Sequence, residues 1–336
     1  MIRSLLGGFG CSLATLAAHA LTVAATGDIM LGTDYPKNTL DDRDAAGYLA
    51  AVTPKLRTAD IAFGNYEGAL LDGGKAEKLC SGRCYFFRSP TRYAQLLADA
   101  GYDLISLANN HARDFGDDGL ASSQASLDAV SIGHSGPIDS FAIIERASQR
   151  VGMIAYAPNH ELNPILDIAL AREQVSALAG EVDILIVSFH GGGEGQDALH
   201  VAQGMEEYLG EERGDLRAFS RAVIDAGADL VLGHGPHVPR GLELYRERLI
   251  AYSLGNFATY YGISVSGLKG VAPLLWVELD DEGRFVAGRI HSYRQTRPIG
   301  PQPDRTQTAA TLMRRLSTED FPQSPLRWLG DGRIGP

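Results

Sequence analysis

Residues 104–119 read LISLANNHARDFGDDG, and this stretch decides the fold. Leu104, Ile105, Ser106, Leu107 and Ala108 form a short apolar run of the kind expected for a strand covered on both faces. Asn109, Asn110, His111 and Asp114 follow at once, so polar chemistry begins where the strand ends. In open α/β sheets, ligands bind in the crevice beyond the carboxyl ends of the strands. A capped loop would explain the same letters, with Asp117 or Asp118 capping a helix that begins near Gly119. The other strand ends of the chain decide between the two.

Working outward, residues 21–25 form a β-rich run that ends in TGDIMLG and places Asp28 just past a strand. Residues 61–64 form a second short strand that ends in NYE, with Glu67. Residues 182–189, VDILIVSF, are the most strand-like run in the chain and lead into HGGGE, with His190 and Glu194. Residues 229–232 lead into GHGPHV, where His234 and His237 stand three apart, a spacing found among metal ligands. Helical spacing is expected over 44–57, 91–100, 119–130, 169–179, 215–226 and 308–316, with Gly101 as a C-terminal breaker. His134 and His160 stand alone and read as surface or hydrogen-bonded residues. Antiparallel pairs are expected for 141–147 with 150–157, 242–246 with 249–252, and 271–279 with 284–293. Hairpins interrupting a strand–helix alternation predict an α/β fold of two mixed sheets packed as a sandwich with helices outside. The expected division is one domain over 21–300 and a C-terminal extension over 301–336.

Composition sets the bounds. A chain of 336 residues with 45% hydrophobic content can fill a substantial core. Formal net charge is −11 with no block of Lys and Arg, so no nucleic-acid partner is expected. Arg3, the apolar run 5–18 and Ala18-His19-Ala20 form the pattern of an export signal over 1–20. The mature chain is then periplasmic or extracellular; an N-terminal membrane anchor is the alternative. Beyond Cys11 the chain has Cys80 and Cys84 in CSGRC. Export favours a disulfide between them, with free thiols as the alternative.

Asp28, Glu67, Asn110 with His111, His190, and His234 with His237 therefore stand at separate strand ends. Carboxylates, an amide oxygen and imidazoles are the ligand set of a two-metal hydrolytic centre. A nucleophile-elbow Gly-x-Ser-x-Gly and a phosphate-binding P-loop are both missing from the sequence.

Seven ordered blocks, GDIMLG at 27–32, NYE at 65–67, FRSP at 87–90, LANNHARDFG at 107–116, HGGGE at 190–194, GHGPHV at 233–238 and YSLGNF at 252–257, carry a resemblance. The chain resembles the poly-gamma-glutamate capsule biosynthesis (CapA) family of the calcineurin-like metallophosphatase superfamily, over residues 21–295. The resemblance implies a metallophosphoesterase-like sandwich. It makes Asp28 a first-site carboxylate, Glu67 a bridging carboxylate, Asn110, His190 and His234 second-site ligands, and His237 a first-site ligand. His111 resembles the general acid, and Asp114 can orient it. Met30 stands where the superfamily usually has a histidine, which implies one tightly held ion or two of unequal affinity. The cofactor expected is a divalent ion, Mn, Zn, Fe or Mg. Arg88, Glu194 and Asn256 are candidate substrate contacts. Two functions follow. One is metal-assisted hydrolysis or transfer at a phosphoryl or acyl centre of a phosphoester or envelope polymer. The other is a factor that binds and guides an anionic capsule chain, with membrane-bound capsule synthesis proteins as possible partners.

Overall fold

The computed structural model describes residues 20–41, 45, 47–78 and 84–336. Residues 1–19 of the expected export segment 1–20, and Cys80, one half of the expected Cys80–Cys84 bridge, lie outside the described residues.

Four short parallel strands organise the first half of the chain: Leu21–Met30, Ile61–Tyr66, Leu104–Ser106 and Gly133–Ser135 lie side by side in that order. Parallel pairing brings their carboxyl ends to one edge, so Asp28, Glu67 and the turn at 109–111 come out together. The antiparallel hairpin Val271–Leu279 and Phe285–Thr296 continues this sheet on the other side of Leu21–Met30. Asn256–Thr259 pairs in parallel with the last residues of Leu21–Met30, at a register shift between Asp28 and Ile29.

The second sheet has six strands in the order Leu242–Tyr245, Arg248–Ala251, Leu230–His234, Ile184–His190, Gln149–Tyr156 and Ala142–Arg146. Strand periodicity tells which side each residue faces. Leu230, Leu232, Ile184 and Ile186 join the core shared with the first sheet, where Val23, Ala25 and Phe63 lie. Val231, Leu185, Val187 and Phe189 join a second core with Val175 and Phe219 of the helices Ile168–Ala179 and Leu216–Asp225. His190 and His234 have the parity of the first set, so the two imidazoles point between the sheets. The expected sandwich with outside helices is the fold found, and all three antiparallel pairs are present.

Several local expectations need correction. The helix expected over 44–57 is confined, among the described residues, to Thr53–Leu56, after turns at 47–52. The helix expected near Gly119 starts earlier, as Gly116–Asp128, and Asp117 and Asp118 sit in its first turn instead of capping it. Their charge still favours the positive end of the helix dipole. Residues 301–336, expected as a C-terminal extension, pack against the first sheet. Arg333–Gly335 pairs with Phe285–Thr296, Gly300–Pro303 pairs with the same strand, and the helix Thr308–Asp320 buries Met313 and Leu316 completely. Among the described residues, no helix is long and apolar enough to cross a membrane.

Candidate metal centre

The strand ends converge. Asp28, Glu67 and His237 offer ligand atoms that all lie within 4.8 Å of one another, and all three side chains are buried or nearly so. Two carboxylates and an imidazole from distant parts of the chain are thereby drawn to one point at the mouth of the sandwich.

Backbone geometry makes this possible. Leu21–Met30 approaches the 252–257 loop so closely that a Cβ on Gly27 would stand 1.9 Å from the Gly255 carbonyl oxygen. Asp28 N–H donates to that same oxygen at 2.8 Å, which sets the height of the carboxylate. His237 itself has φ of +59°, a left-handed conformation uncommon for a side-chain-bearing residue and typical of constrained sites. Gly235, at φ +116°, comes so near the Gly191 backbone that a Cβ would meet its oxygen at 2.4 Å. Gly191 and Gly235 therefore serve close approach between the two histidine-bearing strand ends.

A chain of amides and carboxylates fixes the ligands. Asn109 donates from Nδ2 to Asn65 Oδ1 at 3.3 Å and to the Tyr66 carbonyl at 2.8 Å. Asn65 donates to Asp28 Oδ1 at 2.9 Å. His237 Nδ1 lies 3.1 Å from both Asp28 Oδ2 and Asn256 Oδ1. Asn256, expected to touch substrate, is fully buried and instead orients His237, while its own Nδ2 donates to the Lys269 carbonyl at 3.2 Å. Asn65 and Asn109 were not singled out from sequence, although both lie inside the recognised blocks.

His111 forms a second unit beside the first. Its Nδ1 is 2.7 Å from Asp114 Oδ2, its ring packs 4.1 Å from that of Phe87, and its Nε2 faces Glu67 Oε1 at 3.9 Å. Asp114 is itself held by the Phe87 N–H at 2.8 Å, and Lys78 Nζ stands 3.4 Å from its other oxygen. Lys78 also donates to the Asn110 carbonyl at 2.7 Å, so one lysine pins both expected roles.

The remaining expected residues divide. His190 packs 6.2 Å from His237, ring centre to ring centre. His234 donates from Nε2 to the Thr26 carbonyl at 3.1 Å. Neither histidine joins the tight group of Asp28, Glu67 and His237. Glu194 does reach it: Oε2 is 3.7 Å from His237 Nε2. Arg88, another expected substrate contact, is buried and donates to the carbonyls of Gly74 at 3.1 Å and Asp34 at 2.9 Å, and also to Gly73 and Asn38, so it clamps these loops.

Burial and close charges set the electrostatics of the group. Burial pushes Glu67 up to about 8, with the positive His237 opposing and the Asp28 charge reinforcing the shift. Burial works against a charged His237, but the carboxylates of Glu67, Asp28 and Glu194 overcome it and hold that imidazole up at about 10. His190 is driven well below its ordinary range, first by burial and then by Arg213, and His234 is lowered by burial. Both shifts favour the neutral imidazole, the form that binds metals, whereas His237 would have to give up its proton to a bound ion.

Buried polar groups are normally hydrogen-bonded. Here both Glu67 carboxylate oxygens, Asn110 Oδ1, both ring nitrogens of His190 and His234 Nδ1 are buried with no hydrogen-bond partner among the described residues. Oxygen and imidazole nitrogen atoms of the types that divalent ions take, left without hydrogen bonds at one set of strand ends, fit a metal.

Residues 22–261 match the family described as Bacterial capsule synthesis protein PGA_cap. The chain is 27% identical over 257 residues to the "Capsule biosynthesis protein CapA" of Bacillus anthracis, covering 70% of this chain and 59% of that protein. It is 25% identical over 260 residues to the "PGA biosynthesis protein CapA" of Bacillus subtilis (strain 168), covering 72% of this chain and 64% of that protein. The matched region thus spans less than two thirds of the length of either relative. Among solved structures, a 5'-nucleotidase precursor from Thermus thermophilus is similar at 16% identity and a TM-score of 0.47, covering 89% of this chain and 59% of that one.

Proposed function

Since the chain belongs to the bacterial capsule synthesis protein family, we propose that it is an exported, metal-dependent enzyme that hydrolyses or transfers a phosphoryl or acyl group of an anionic envelope polymer or a phosphoester. The observation that carries this reading is the buried Asp28–Glu67–His237 group together with the partnerless acceptors around it. Asp28, Glu67 and His237 would hold a divalent ion, with Asn110, His190 and His234 as further ligands. Such an ion, Mn, Zn, Fe or Mg, supplies Lewis-acid polarisation of a substrate oxygen and lowers the pKa of water.

The chain's own residues supply the proton handling. Asp114 accepts from His111 Nδ1 and so leaves Nε2 to face the cluster. That orientation suits an imidazole that carries a proton on Nε2 and gives it to a leaving group, becoming neutral; burial lowers its pKa and Asp114 opposes that by stabilising the charged ring beforehand. Asn256 and Asn65 hold His237 and Asp28 in place. Export through residues 1–20 and a Cys80–Cys84 bridge next to the Tyr85–Phe87 segment belong to the same proposal.

The test is metal analysis of the purified protein with a panel of phosphoesters and peptides. Turnover that a chelator abolishes and a divalent ion restores supports the enzyme. Polymer binding with no turnover replaces it with the second reading, a factor that guides an anionic capsule chain between membrane-bound synthesis proteins.

A further inference from the structure

Arg213 is a guanidinium that the fold buries without satisfying. It lies in the strand Glu211–Gly214, paired with Glu206–Tyr208 in a short hairpin beside the metal-ligand group, and is 1% exposed. Among the described residues, its side chain makes one hydrogen bond, from Nη2 to Glu194 Oε1 at 3.1 Å. Glu211 stands 3.9 Å from Nη1, and the buried Nε has no partner among those residues. The contrast is Arg240, fully buried, which forks onto both oxygens of Glu206 at 2.9 and 2.8 Å and also donates to the Ala198 carbonyl at 2.7 Å. Arg240 is a finished structural ion pair. Arg213 has donor capacity left over, and incompletely paired buried charge is costly, so folds rarely keep it without a use.

Its one acidic hydrogen-bond partner leads to the reacting centre. Glu194 bonds Arg213 with one oxygen and stands 3.7 Å from His237 Nε2 with the other. The Gly192 N–H donates to the Arg213 carbonyl at 2.9 Å, so the loop stripped of side chains runs beside it. A guanidinium presents a planar fork that fits an oxyanion through two parallel hydrogen bonds, whereas here a single one is made.

The geometry points to Arg213 as the receptor for an anionic group of the substrate, with Glu194 a resident carboxylate that occupies the receptor until an incoming oxyanion displaces it. The ligand is an oxyanion with at least two acceptor oxygens, either the phosphate of a phosphoester or the carboxylate of a glutamyl polymer. The inference rests on the proposed reading of the neighbouring group as the reacting centre, but anion binding is measured apart from turnover.

Calorimetric titration of the metal-free protein with inorganic phosphate, and separately with free glutamate, tests it, alongside metal analysis of each variant. Arg213→Lys should weaken anion binding by about tenfold or more, since a point charge replaces the fork. Glu194→Gln should tighten it by about threefold or more, since a like charge leaves the receptor. The anion that binds tighter identifies the source. Phosphate and glutamate binding Arg213→Lys as tightly as the parent, or Glu194→Gln binding more weakly, overturns the assignment. So does Arg213→Lys losing metal affinity in step with anion affinity, which would make Arg213 a prop for the ligand group. A parent protein that takes up no metal defeats the proposed enzyme, while the latch still stands or falls on the anion titrations.

Discussion

Asp28 and His237 are 209 residues apart in sequence, yet Oδ2 of the one lies 3.1 Å from Nδ1 of the other. Each is held from behind by an asparagine, Asn65 on the carboxylate and Asn256 on the imidazole. The pair closes the gap between the first parallel strand and the turn after Leu230–His234, and thereby ties the two sheets together at the proposed centre.

Asp28→Asn keeps an acceptor for Asn65 and removes the charge. Outer-shell changes at metal sites lower affinity by about 10- to 100-fold, so loss of this inner carboxylate should exceed that range. Metal content by elemental analysis and titration checks it, and a variant that binds metal like the parent would remove Asp28 from the ligand set.

Asn110 and His111 are adjacent but should fail differently. Asn110→Ala removes a buried, partnerless oxygen and should lower metal occupancy and activity together. His111→Ala should leave metal content unchanged and lower turnover by about 100-fold or more if it is the proton donor. Equal metal loss in both variants would make His111 a ligand.

The metal-free protein should lose stability as pH rises. Glu67 is raised to about 8 and His237 to about 10 in the folded state, both above their ordinary values. The native state therefore binds more protons than the unfolded chain between those limits. Any stability from these shifts is fully present below the unfolded values and is lost as pH climbs through the folded ones. Thermal unfolding of metal-free protein should show Tm falling from neutral to alkaline pH, and saturating metal should flatten the fall, because the ion displaces those protons. A Tm that rises over that interval in metal-free protein would contradict the assignment.

Breaking the Arg240–Glu206 pair should be severe. Arg240→Met strands a buried carboxylate and should cost about 3–5 kcal/mol of unfolding free energy. Adding Glu206→Gln should recover part of that loss, in a double-mutant cycle measured by denaturant unfolding.

Gly27→Ala places a methyl 1.9 Å from the Gly255 oxygen, so strand and loop must part. Metal affinity and stability should fall together, and a variant with parental values in both would show that the approach is not required.

What sequence alone determined was whatever depends on neighbours along the chain. The apolar runs 182–189 and 229–232 placed His190 and His234 at strand ends, because termination is a local property, while the two cores decided that both imidazoles face between the sheets. The hairpins and most helices were legible for the same reason. Tertiary structure decided the rest. Asn256 became a support for His237, Arg88 became a clamp on loop carbonyls, and Arg333–Gly335 joined the main sheet, since each outcome depends on which distant backbone comes within hydrogen-bonding reach. Arg213 lies in no motif, and its significance comes from being buried with too few acceptors. Burial and unmet hydrogen-bonding capacity are properties of packed, non-local surfaces, and no stretch of sequence displays them.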